Sequence, residues 1–214
     1  MPWWNIYTFM KSFYQYINEL SSVLSDFKPV ALRGSKWQYD YHFYVSENEK
    51  YKMNFIRHPR GVKDFLFQKM PDLFKHENKF KDELTRPTYV VFMTLEGAKD
   101  ELSPSGKSTN PYKVYSEALK SIKTVIDKEN PVALEFSTEF SSLKIMYHDF
   151  YKRFSNEFGL VKFGAFYIDY KLIDKILMSI PEDLKEKFMN LIKQDYEKSS
   201  SDIKNLKKIK RSRL

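Results

Sequence analysis

The chain has no cysteine. That excludes a disulfide framework, a thiolate metal site and a cysteine nucleophile, and it fits a reducing compartment such as the cytoplasm. Long hydrophobic runs are missing too. No stretch approaches the roughly 18 to 20 consecutive apolar residues of a membrane-spanning helix. The opening residues Met1, Pro2, Trp3 and Trp4 lack the basic n-region and unbroken apolar segment of a secretory signal. Glycine is scarce, at 6 of 214 residues, and the glycines that interrupt a pattern (Gly34, Gly61, Gly159) read as turns or helix ends. The four histidines, His42, His58, His76 and His148, are scattered, with no pair at a spacing that puts two imidazoles on one helix face, so no metal site is expected. There is no internal repeat.

What is present is a large aromatic content. Hydrophobic residues make up 42 % of the chain and aromatics 17 %, enough to bury a core and to exclude disorder over the body of the chain. Lysine and arginine number 36 against 28 aspartate and glutamate, a net charge of +8. The resulting positive field attracts nucleic acid, anionic head groups or acidic proteins without choosing among them.

Hydrophobic spacing organises the chain as a single α/β domain over 1–198 followed by a basic tail over 199–214. From Trp3 to Leu24 apolar residues recur at steps of three and four, which predicts an N-terminal helix over 3–25. The body spans 37–198. From Trp37 the period drops to two: Trp37, Tyr39, Tyr41, Phe43 and Val45 alternate with polar neighbours. Tyr51, Met53 and Phe55 alternate again after a polar turn at Ser46–Lys50, so the pair predicts an antiparallel hairpin. His58 to Pro87 is poorly patterned, with a turn at His58-Pro59-Arg60-Gly61 and a partly helical connection over Phe65–Phe80. Thr88–Leu95 is nearly continuous in apolar residues, as a central strand requires. Asn110 as N-cap with Pro111 at the first helical position starts a helix whose stripe is Val114, Ala118, Leu119, Ile122 and Val125, stopped by Pro131. A strand at Val132–Phe136, a helix from Ser141 to Phe158, one strand over Leu160–Tyr170 and a helix over Pro181–Lys198 complete the body. The fold class expected is α/β (α+β): a mostly antiparallel mixed sheet flanked by helices, with a helical basic tail.

Three groups of residues could carry chemistry. Gly106, Lys107, Ser108, Thr109 and Asn110 lie after a strand and before a helix, where backbone N–H groups can face an anion. A complete phosphate-binding loop needs a further glycine where this chain has Glu101, so that motif is excluded. Tyr147 and Tyr151 share a helix face and could offer a phenol to a leaving group, although tyrosines at such positions also pack cores. The acidic residues Asp72 and Glu77 with Lys79 fall in one weakly patterned segment and do not make the convergent metal site of a nuclease. The densest signal is the tail, where Lys204, Lys207, Lys208, Lys210, Arg211 and Arg213 alternate with Ile203, Leu206 and Ile209. It reads as a contact for phosphates or another anionic partner, or as a solubilising end. Tyr39, Tyr41 and Tyr44 on the hairpin could add base stacking or equally pack a core.

The order of helix, hairpin, central strand Tyr89–Met93, glycine-containing loop, long helix from Pro111, strand Val132–Phe136 and tyrosine-bearing helix resembles the Gcn5-related N-acetyltransferase (GNAT) fold over residues 37–170. The resemblance implies an acetyl-CoA cofactor with its pyrophosphate at Gly106–Asn110, and Tyr147 as general acid. Ser103 stands where that family carries Arg or Gln, and Gly159 is far from Tyr147, so both motifs depart from the family pattern. The texture of the chain, rich in Lys, Phe and Tyr, also resembles accessory proteins of bacteriophages with AT-rich genomes. Together these features lead to the expectation of a bacteriophage-type accessory protein in the host cytoplasm. It would use no cofactor and associate through its tail with nucleic acid or an acidic protein assembly. The alternatives are an acetyl-CoA-dependent N-acyltransferase and a structural virion component.

Overall fold

The computed structural model describes residues 28–96, 108–136, 147, 148, 152 and 158–212. The N-terminal helix expected over 3–25, the loop residues 97–107 and most of the segment around Ser141 lie outside them. Seven strands form one mixed sheet: β1 (Arg33–Ser35), β2 (Gln38–Ser46), β3 (Glu49–Arg57), β4 (Thr88–Leu95), β5 (Ala133–Phe136), β6 (Leu160–Phe163) and β7 (Phe166–Asp169). Their order across the sheet is β1-β2-β3-β4-β5-β7-β6. The apolar run at Thr88–Leu95 thus takes the middle position. The helices are α1 (Gly61–Lys69), α2 (Lys81–Leu84), α3 (Pro111–Glu129), α4 (Tyr170–Ser179) and α5 (Glu182–Ser212), with a 3₁₀ helix at Pro71–Lys79.

The chain divides into two compact units, each built from separated stretches. The first comprises residues 1–33, 40–53 and 93–125. Its described buried residues include Phe43, Tyr51 and Met53 of the hairpin and Val114, Leu119 and Ile122 of α3. Phe43 stacks on Tyr51 with ring centroids 5.5 Å apart. Asn110 caps α3 as its sequence predicts, its Oδ1 accepting from the Lys113 N–H at 3.0 Å.

The second unit comprises residues 34–39, 54–92 and 126–214. Here β4 runs parallel to β5, while β5 and β6 both lie antiparallel to β7. Val62 and Leu66 of α1, Leu172, Ile173 and Ile176 of α4, and Phe188 and Ile192 of α5 pack with Phe163, Phe166 and Ile168 into one buried cluster. Arg86 is a polar clamp within this unit. Its guanidinium pairs with Glu83 and Asp169 and donates to the Asn130 Oδ1 at 2.8 Å and to the carbonyls of Asn130 and Pro131, both at 3.0 Å. Burial works against the charge, but the bonds to Asp169 and Glu83 outweigh it and hold the guanidinium's pKa up.

Two expectations change. The single strand read over Leu160–Tyr170 is a hairpin, turning at Gly164-Ala165. Gly164 has φ 62°, and a side chain there would meet the Phe65 ring, 2.5 Å from its Cβ position. Strands of four residues are too short for their period to show the break. The segment after Tyr170 forms α4, capped by Asp169, whose side chain accepts from the Lys171 N–H. The serines at 199–201, expected to mark a boundary, lie inside α5, which continues to Ser212. Ile203 is still buried, so the helix remains packed beyond them.

Candidate functional site

The β2–β3 hairpin ends in the turn Glu47-Asn48, and the next two residues point to opposite faces of the sheet because strand side chains alternate. Glu49 contacts Thr109 and Lys50 contacts Glu96. Glu49 accepts from the Thr109 N–H at 3.0 Å and from the Thr109 hydroxyl, and the Tyr51 hydroxyl donates to its other oxygen at 2.9 Å. Burial tends to raise the Glu49 pKa, but the bonds from Thr109, Ser108 and Tyr51 outweigh it and hold the carboxyl below its usual range. On the other face Glu96 pairs with the Lys50 ammonium and with His42 Nδ1, while its own N–H donates to the Lys50 carbonyl at 2.9 Å. Burial again opposes the Glu96 charge, and Lys50 and His42 again prevail and lower its pKa.

Of the five positions expected to face a pyrophosphate, Ser108, Thr109 and Asn110 are placed here, while Gly106 and Lys107 lie outside the described residues. Both Thr109 donors already serve the Glu49 carboxylate. A phosphate at that position must displace a negative group of its own kind. The pair His42–Glu96 is a feature that sequence reasoning missed. Their 54-residue separation leaves no spacing to recognise. The only hint is that alternation places His42 on the face opposite Tyr41 and Phe43. Glu96 fixes the imidazole through Nδ1, and Nε2 makes no hydrogen bond among the described residues.

Tyr147 is buried, 3 % exposed. Its ring lies 4.5 Å from that of Phe136, its carbonyl faces the Tyr167 hydroxyl, and its own hydroxyl has no partner among the described residues. Burial pushes the phenol's pKa well above its ordinary value, so it stays protonated at physiological pH.

A third polar cluster is built on Glu129 at the end of α3. The Tyr39 hydroxyl donates to one carboxylate oxygen at 2.6 Å and the Tyr89 hydroxyl to the other at 3.3 Å. Burial, then the bond to Glu129, push Tyr39 up to about 12 and Tyr89 higher still. Tyr41 is tied in the same manner to Glu117. Of the three tyrosines considered for stacking, only Tyr44 is left exposed, at 56 %.

Residues 203–214 contain Lys204, Lys207, Lys208, Lys210, Arg211 and Arg213 and no Asp or Glu. Taking those six charges from the net of +8 leaves +2 for the rest of the chain. Through Ser212 the backbone is one α-helix, so positions 204, 207, 208 and 211, spaced by three and four, fall on one face; Arg213 lies outside the described residues. Among the described residues no three His, Asp or Glu side chains could hold a metal ion. None of their helices is long and apolar enough to cross a membrane. No family model, no curated protein and no solved structure matches the chain.

Proposed function

We propose that the protein acts by association, binding nucleic acid through the basic C-terminal end of α5. The observation that carries this reading is the continuous helix to Ser212 with no acidic residue after Asp202. A flexible tail loses conformational entropy when it docks, whereas a helix already holds its charges in a row. Such a row exchanges condensed counterions for lysine and arginine, which makes binding strong in low salt and weak in high salt. The test is fluorescence anisotropy of a labelled oligonucleotide with the chain and with its K204Q/K207Q/K208Q/R211Q variant. Glutamine keeps the helix propensity of lysine and arginine, so the variant removes charge and not structure. Binding should weaken by at least about tenfold, and the salt slope should become shallower by about 3. Unchanged binding sinks the proposal. Capture of polyglutamate but not of the oligonucleotide transfers the site to an acidic protein assembly.

A second reading, an acetyl-CoA-dependent N-acyltransferase, is favoured by one observation: β4 and β5 are parallel neighbours joined through the long helix α3. Against it stand the Glu49 carboxylate on the Thr109 donors and the enclosed Tyr147 hydroxyl. Calorimetry with acetyl-CoA decides, since heat that saturates at one equivalent supports this reading and none rejects it.

A further inference from the structure

Trp37 departs from the pattern of the hairpin that follows it. The alternation through Tyr39, Tyr41 and Phe43 places it inward, yet it is 55 % exposed. The reason is local. Strand pairing begins at Gln38, and Lys36-Trp37 form the two-residue turn between β1 and β2. The turn is held from several directions. Gly34 has φ 112° and lies so close to Gln38 that a Cβ would stand 2.2 Å from its carbonyl oxygen. The Arg57 N–H donates to the Trp37 carbonyl at 2.8 Å, and the Tyr89 hydroxyl reaches the Lys36 carbonyl at 3.2 Å. Trp37 is therefore displayed on a fixed support, with little ordering left to do on binding.

Three cations lie around this support, Lys36, Arg57 and Lys128, and of these only Lys128 has an ion-pair contact with a carboxylate among the described residues. The Arg57 guanidinium lies over the indole, 5.1 Å from the ring centroid, and its buried Nε makes no hydrogen bond among the described residues. Lys36 has no ion-pair partner among the described residues. The Lys128 ammonium sits 4.2 Å from the Tyr39 ring centroid and 4.0 Å from Glu129. Glu129, the carboxylate of this cluster, is engaged by two phenols. An exposed indole beside cations matches a base with its flanking phosphates. Only unpaired strands offer base faces, since a duplex keeps them stacked inside.

We infer that the Lys36-Trp37 turn, with Arg57 and Lys128, is a stacking subsite for a base of single-stranded nucleic acid. The inference rests on the nucleic-acid reading above and specifies its substrate. The chain has three tryptophans, Trp3, Trp4 and Trp37, so the W3F/W4F variant makes Trp37 the sole indole emitter. Titration of this variant with an oligothymidylate of about 15 nucleotides should quench its emission to saturation, while a duplex of equal length should quench it little. In the unsubstituted chain W37A should weaken oligothymidylate binding by about tenfold with the salt slope unchanged, and W37F should retain most of the affinity. Oligothymidylate binding with no quenching and full affinity in W37A overturns the stacking subsite and leaves the basic helix as the site. A duplex bound as tightly as the single strand, with equal quenching, also overturns it. Failure of the chain to bind either form removes both the subsite and the reading on which it rests.

Discussion

The two ends of the β2–β3 hairpin use their charged groups in opposite ways. At the turn end, Glu49 and Glu96 are matched to an amide, hydroxyls, an ammonium and an imidazole, so carboxylates and donors balance. At the open end, around Trp37 and Arg57, the carboxylate of Glu129 is taken up by the phenols of Tyr39 and Tyr89. Lys36 and Arg57 have no acidic partner there among the described residues. Balanced charges fasten a backbone, whereas unbalanced ones remain available to a ligand. The difference separates a structural staple from a candidate contact surface although both lie on the same two strands.

The largest test of this contrast is Glu129→Leu. It leaves the buried Tyr39 hydroxyl without its acceptor, while the Tyr89 hydroxyl keeps the Lys36 carbonyl at 3.2 Å. Urea unfolding should show a loss of about 2 kcal/mol, and the emission of Trp37 should shift as its support loosens. A loss below about 0.5 kcal/mol would mean that the phenols find other partners and that the support is not built on Glu129.

The same cluster has a pH signature. The Tyr39 pKa is raised in the folded chain to about 12 from an ordinary value near 10. Its contribution to stability is thus complete below pH 10 and is lost as pH rises towards 12. Y39F should flatten the fall in stability across that window, as followed by circular dichroism. The turn end behaves inversely. Glu49 and Glu96 have depressed pKa values, so their contributions are present at neutral pH and lost as pH falls through the folded-state values.

Glu49→Ala should cost about 1 kcal/mol and speed hydrogen exchange at the Thr109 amide, with the acid-induced loss of stability reduced. His42→Ala is the smallest change. The partly exposed pair with Glu96 should contribute about 0.5 kcal/mol or less, and a larger loss would show that the turn end is held from the His42 side rather than through Glu49.

Much of the fold is legible in the residue pattern, because the hairpin, the middle strand and α3 follow from periodicity and from the Asn110-Pro111 start. The start of α4 is also written, in the Asp169 cap and in the helical spacing of Leu172, Ile173 and Ile176, but a strand pattern running up to Tyr170 obscures it. The β6–β7 turn is hidden by the brevity of its strands. The polar clusters are not legible. Tyr39 meets Glu129 across 90 residues of sequence, and only the register of the sheet against α3 brings them together. Trp37 misleads in the opposite sense. Its place in an alternating series depends on where pairing begins, and one residue of difference turns it from core to surface.

If the basic end of α5 binds nucleic acid by charge, as proposed, salt must set the affinity. The most direct measurement is the affinity of the chain for oligothymidylate across a salt series. Six basic residues with no acidic neighbour after Asp202 predict a linear fall of log affinity with log salt, with a slope of about −4. A slope near zero, or no binding at low salt, would contradict the account.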